Sequence, residues 1–142
     1  MATEVLIDGV RYAPEEIPGE LPPEYLSPHF RKTEFDCNHC GKYGDKISRE
    51  LVDVLEDVRS HFDCPVTVNS GVRCETHNRN VGGATSSRHL DRYAEAADIV
   101  LTEATPMQVH SYLTGKYPGK YGIGKYNSFT HIDVRPGGPA RW

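Results

Sequence analysis

Three short stretches hold side chains whose types and spacing could do chemistry: SGVRCETHN (70–78), SSRHLDRYAEAADIV (86–100) and FTHIDVR (129–135). Among them are His89, Asp98 and His131. Two imidazoles and a carboxylate form a donor set for zinc. Three protein ligands leave the fourth tetrahedral position to water, as in a catalytic site. Asp98 is the most telling of the three, because it stands between Ala97 and Ile99 in an apolar run. An acid there is costly unless a cation or another partner is close.

Two more residues belong with these. Arg73 follows Ser70-Gly71 at the end of a strand-like run. A guanidinium at the mouth of a sheet can grip a carboxylate with two parallel hydrogen bonds, which suits an acidic peptide; a surface salt bridge is the alternative. Asp133 lies two residues past His131, so in a strand both side chains share a face. It is expected either as general base for a zinc-bound water or as the partner that orients a histidine.

Such ligands must converge from rigid elements. Ser48 can cap a helix, and Leu51, Val54, Leu55, Val58 and Phe62 recur at three- and four-residue steps opposite Glu50, Asp53, Glu56, Asp57 and Arg59. The spacing predicts an amphipathic helix over 48–62. PVTVN (65–69) has the β-branched content of a buried strand, ended by the Ser70-Gly71 turn. The loop GGATSS (82–87) leads to His89, and AADIVL (96–101) reads as a second core strand. Thr105-Pro106-Met107-Gln108 is a capping box with proline at the first helical position, starting a helix that runs to about Leu113. Strands near 121–125 and 129–134 are expected to form a hairpin. Strands and helices without regular βαβ alternation predict an α+β fold, a small, mostly antiparallel sheet with helices packed on it.

Upstream, Val5-Leu6-Ile7 and Val10-Arg11-Tyr12 flank an Asp8-Gly9 turn and predict a small hairpin. Pro14, Pro18, Pro22, Pro23 and Pro28 make 13–28 an extended surface arm. The expected organisation is therefore a hairpin and arm over 1–28 and one domain over 29–142. Cys37-Asn38-His39-Cys40-Gly41 is a CxxCG turn: either half of a zinc knuckle or a turn with small, partly buried thiols. Cys64 and Cys74 are the other cysteines, and no second CxxC completes a knuckle.

The totals narrow the function classes. A chain of 142 residues is about one domain. A net charge of −4 argues against nucleic acid as the main partner, since phosphate binding runs on excess Lys and Arg. No stretch approaches the roughly 18–20 apolar residues of a membrane span, so no membrane partner is expected. The opening MATEVLIDGVRYAPEE has no basic n-region and no long apolar run, so synthesis in the cytosol is expected. The four cysteines are then thiols or metal ligands rather than disulfides. No histidine is tied to Cys74 by a nucleophile motif, which disfavours a cysteine peptidase. A monomer is expected.

The chain resembles the M15 family of zinc D-Ala-D-Ala carboxypeptidases and related peptidoglycan endopeptidases, particularly small phage and bacterial members ending in a His-x-Asp-x-Arg strand. The carrying residues are Ser70-Gly71-Val72-Arg73, then Ser87-Arg88-His89 leading to Glu95-Ala96-Ala97-Asp98, then His131-Ile132-Asp133-Val134-Arg135. The match covers most of the chain. The resemblance implies the D-Ala-D-Ala peptidase or Hedgehog-type zinc peptidase fold, with Zn2+ held by His89, Asp98 and His131. It implies Arg73 at substrate or transition state; Ser87 is expected as a further substrate contact, and His77 lies close enough in sequence to Arg73 to line the same cleft. The implied substrate is a peptidoglycan peptide, cut next to a D-amino acid or within the stem or cross-link. The implied setting is a phage lysin or virion-associated hydrolase made in host cytosol and acting on the wall. The implied mechanism is metal-assisted hydrolysis.

The sequence departs from the family pattern in two places. The His89-to-Asp98 interval is longer than the pattern has, with Asp91-Arg92-Tyr93-Ala94 where a glycine turn is expected. Many relatives carry an acid as base three residues before the distal histidine, and that position here is Ser128. Asp133 is the expected substitute, with Glu95 or Asp91 behind it. The alternative function is a catalytically silent, zinc-bearing binding or structural module, such as a phage tail component.

Overall fold

The computed structural model describes residues 5–7, 10–12 and 22–142. Strands β1 (Val5–Ile7) and β2 (Val10–Tyr12) pair antiparallel, with Leu6 opposite Arg11, as the sequence predicts. Their turn and residues 13–21 of the expected arm lie outside the described residues.

Helix α1 spans Arg49–Phe62. Ser48 Oγ accepts from the Leu51 N–H at 3.4 Å, and Leu51, Val52, Val54, Leu55 and Val58 are buried along its apolar stripe. Asp63, in the left-handed region at φ 51°, ends it.

The last part of the expected surface arm is corrected by this packing. Tyr25–Ser27 form strand β3, which pairs with β4 (Phe30–Arg31). Leu26 and Phe30 enter the core, and Glu56 of α1 receives the His29 N–H at 2.9 Å and the Ser27 hydroxyl. The prolines bound the short strand instead of forbidding it.

The main sheet has five strands: β5 (Val66–Ser70), β6 (Ala96–Leu101), β7 (Gly122–Lys125), β8 (Thr130–Asp133) and β9 (Ala140–Arg141), in the order β5-β6-β8-β7-β9. Every pairing is antiparallel except β7 with β9. The fold is thus the α+β class expected, and the 121–134 hairpin forms as β7 and β8. Helix α3 (Pro106–Lys116) begins with the expected Thr105/Gln108 capping box and runs past Leu113 to Lys116. The sequence reading lacked the short helix α2 (Glu75–Asn80), capped by the Cys74 sulfur, and the short strand β9.

Alternation along the central strands divides the sheet. Ala97, Ile99 and Leu101 of β6 and Ile132 of β8 join the hydrophobic core with Ile123, α1 and α3, while Asp98, His131 and Asp133 occupy the other face. Among the described residues, no helix is long and apolar enough to cross a membrane.

Candidate metal centre

Register brings the ligands together. Asp98 of β6 lies directly opposite His131 of β8, and Ser70 of β5 opposite Asp98 on its other side. The third ligand arrives from a loop strapped to the sheet edge: the Arg73 N–H donates to the His89 carbonyl at 2.6 Å, and the Asp91 N–H to the Arg73 carbonyl at 2.9 Å. His89 Nε2 lies 3.2 Å from Asp98 Oδ1 and 3.3 Å from His131 Nδ1, and His131 Nδ1 lies 3.0 Å from that same oxygen. A tetrahedral zinc site with bonds of 2.0–2.1 Å separates neighbouring donors by about 3.3 Å. The three atoms have the spacing of one tetrahedral face.

The outer hydrogen bonds fix which nitrogens are free. His89 Nδ1 donates to the Gly71 carbonyl at 2.7 Å, leaving Nε2 with its lone pair inward. His131 Nε2 donates to Asp133 Oδ2 at 2.7 Å, leaving Nδ1 inward. Burial alone would raise the Asp98 carboxyl, but the imidazoles of His131 and His89 outweigh it and hold the acid well below the usual carboxylate range. Burial pushes the His89 imidazole down, favouring its neutral form. His131 is raised despite burial, because it stands between the carboxylates of Asp133 and Asp98. Three inward lone pairs at these distances call for a cation, and the nitrogen and oxygen donors fit zinc.

These residues form one wall of a cleft of about 540 Å³, lined also by Arg73, Ser87, Arg88, Arg135, Tyr126, Phe129 and Trp142 and by the 82–84 turn. Arg73 spans strand and loop: Nη2 is 3.4 Å from Asp98 Oδ2, Nε 3.3 Å from Ser70 Oγ, and Nη1 3.4 Å from Asn78 Oδ1. Tyr126 stacks on Phe129 with ring centroids 4.4 Å apart and accepts the Trp142 indole N–H at 2.8 Å. Ser87 reaches the cleft as expected, its Oγ also accepting the His89 N–H at 3.3 Å.

Asp133 is placed differently from the expected base. It is fully buried, outside the cleft, and both oxygens are engaged: Oδ1 by Arg135 Nε at 2.7 Å and Oδ2 by Arg135 Nη2 at 2.7 Å and by His131. Against the raising effect of burial, Arg135 first and His131 second hold it well below the usual carboxylate range. Its position is that of the orienting partner, the other role weighed for it. The reserve acids do not fill the gap. Glu95 pairs with Arg88 at 3.1 Å, and neither it nor Asp91 lines the cleft. His77 also lies away from the cleft, because the first turn of α2 aims it at His39, with ring centroids 6.1 Å apart.

The widened loop leaves the three candidate donors converged. It closes as a single turn, with the Ala94 N–H on the Leu90 carbonyl at 2.7 Å and Ala94 itself at φ 48°. Arg92 braces its outside, reaching Glu75 at 2.8 Å and the Thr85 carbonyl at 2.7 Å. The sequence reading missed Arg88, Arg135, Tyr126 and Trp142 as cleft residues. For Arg88 and Arg135 a signal was available, since each flanks a ligand motif. For Trp142 there was none, because its place depends on β9 pairing with β7.

Fold and site together define a class: an α+β protein whose two-histidine, one-carboxylate donor set, a candidate metal site, opens to a polar cleft. The family model for peptidase M15 matches residues 28–133, and the chain belongs to that family. It is similar to the zinc D-Ala-D-Ala carboxypeptidase of Streptomyces albus G, with 38% identity over an alignment of 79 residues that covers 49% of this chain and 28% of that protein. The chain therefore spans under a third of its relative's length. The family is the one whose pattern the three sequence stretches resemble.

Proposed function

We propose that this chain binds zinc through His89 Nε2, Asp98 Oδ1 and His131 Nδ1 and hydrolyses a peptide bond of peptidoglycan, next to a D-amino acid in the stem peptide or cross-link. The observation that carries the reading is the convergence of those donors, with tautomers set by Gly71 and Asp133, at the wall of a cleft. When bound, zinc supplies Lewis acidity that polarises a carbonyl and acidifies water. The chain's own residues do the rest. Arg73, held by Ser70 and Asn78, orients a substrate carboxylate or scissile carbonyl beside Asp98. Arg88 and Arg135 add positive charge to the same cleft, which suits a peptide carrying acid groups. Tyr126, Phe129 and Trp142 offer the apolar side that excludes water from the bound peptide. Asp133 holds the His131 ring in place. A phage lysin or virion-associated wall hydrolase is the setting that suits this chemistry.

One observation favours a second reading, a zinc-bearing binding module without turnover. Among the described residues, Asp98 is the only carboxylate lining the cleft, and Ser128 stands where relatives carry a base. One experiment separates the two. Zinc-loaded protein and its His89→Ala variant are incubated with purified peptidoglycan and with a synthetic stem pentapeptide, and the products are read by mass spectrometry. Loss of a terminal alanine marks a carboxypeptidase, and separation of cross-linked peptides marks an endopeptidase. Wall binding by the wild type with no product from either substrate would replace the peptidase with the binding module.

A further inference from the structure

The structure brings Cys74 to the CxxCG turn whose second half the sequence lacks. Cys37, Cys40 and Cys74 are free thiols, and their sulfurs all lie within 4.8 Å of one another. Sulfurs bound to one zinc at 2.3 Å stand about 3.8 Å apart, so small side-chain rotations close the set. His39, inside the same turn, places Nδ1 3.7 Å from Cys74 Sγ, near the separation of about 3.6 Å that a shared tetrahedral zinc gives nitrogen and sulfur.

Backbone N–H groups already point at two of these sulfurs. The Cys74 N–H donates to Cys37 Sγ at 3.4 Å, and the His77 N–H to Cys74 Sγ at 3.4 Å. The turn is closed by the Gly41 N–H on the Cys37 carbonyl at 2.7 Å, with Gly41 at φ 69°, where a side chain would be strained. Cys64 shows the contrast: it is buried in the hydrophobic core, outside this cluster.

We propose that Cys37, Cys40 and Cys74, with His39 as fourth donor, hold a structural zinc ion separate from the cleft. Soft thiolates with one imidazole select zinc among common divalent cations, and four protein donors make the site closed. The ion ties the turn at 37–41 to the start of α2. Cys74 adjoins Arg73, so the clamp also fixes the backbone that carries the cleft arginine. The tie reinforces two existing links, Asn38 Nδ2 to the Asn69 carbonyl at 3.0 Å and the Val72 N–H to the Phe35 carbonyl at 2.9 Å.

The test is independent of catalysis. Protein purified with reductant and without chelator is analysed for zinc per chain, as wild type, His89→Ala, Cys40→Ser and Cys74→Ser, with circular dichroism to verify folding. The expected result is two zinc ions in wild type and one in each variant. Cobalt substitution of the wild type gives a reading that needs no variant to fold, because thiolate coordination produces intense near-ultraviolet charge-transfer absorption; folded His89→Ala should keep that band in full and Cys40→Ser should weaken it. His39→Ala should weaken the thiolate-bound metal, whereas His77→Ala should not; the reverse would overturn the assignment of the fourth donor. A single zinc in wild type, lost entirely in His89→Ala, with no cobalt–thiolate band, would overturn the site. A disulfide between any of the three cysteines in that same reduced preparation would do so as well.

Discussion

At the scale of single residues, the centre depends on the atoms behind the ligands as much as on the ligands. Asp133 fixes the tautomer of His131 without touching the cleft, and Arg135 holds it ionised. Asp133→Ala should therefore weaken zinc binding at the cleft by about 10–100-fold, as loss of an orienting carboxylate does. Competition against a chromophoric chelator measures this. Unchanged zinc affinity with turnover abolished would restore Asp133 as the base. Arg73→Lys keeps the charge and gives up the fork that reaches Ser70, Asn78 and Asp98 together. It is expected to lower kcat/KM on a stem peptide by at least about tenfold, with zinc content unchanged. His89, Asp98 and His131 were legible as candidates because two histidines and an acid in an apolar strand need a partner. The role of Asp133 was not, because an i, i+2 spacing gives a shared face but not whether that face is wet.

Elements position these residues through a few close contacts. Gly71 passes so near the 32–35 turn that an added Cβ would lie 2.7 Å from both Cα and O of Phe35. Backbone cannot move aside as a flexible side chain can. Gly71→Ala should cost about 1–3 kcal/mol in denaturant unfolding, and it should also weaken zinc binding, because the Gly71 carbonyl holds His89. The β3–β4 hairpin hangs on Glu56. Burial would raise that carboxyl, but the hydrogen bonds from His29 and Ser27 outweigh it and lower its pKa. A carboxylate lowered in the folded state stabilises above its unfolded pKa and ceases to as pH falls through the folded value. Glu56→Gln should thus cost about 1–2 kcal/mol near neutral pH, and the gap from wild type should close as pH falls below about 4.5. A gap that stays constant down to pH 3 would mean that the carboxylate charge contributes nothing. Helix α1, strand β6 and the capping box of α3 were readable because periodicity and caps are local signals. Strand β3 was not, since five nearby prolines masked a pairing that is stabilised in part by a distant residue, Glu56 of α1.

For the whole molecule, zinc is expected to be part of stability as well as chemistry, since a ligand that binds only the folded state shifts the unfolding equilibrium toward it. At free zinc of 1,000 times the dissociation constant the gain is about 4 kcal/mol. Chelation should then lower Tm by on the order of 10 °C in calorimetry. An unchanged Tm after complete metal removal would show that the charged cluster holds its geometry without a cation. By itself, the sequence determined the α+β class, the long helix, the core strands and the family resemblance, and it singled out the three candidate ligands. These rest on side-chain period, caps and the cost of an acid among apolar residues, all of which act over short stretches of chain. Only the tertiary structure decided that Asp133 faces inward to His131 and Arg135, that Trp142 closes the cleft, and that Cys74 meets Cys37 and Cys40. Each of these joins residues far apart in sequence or turns on which surface is buried, and both are set by sheet register and packing, which no local pattern encodes.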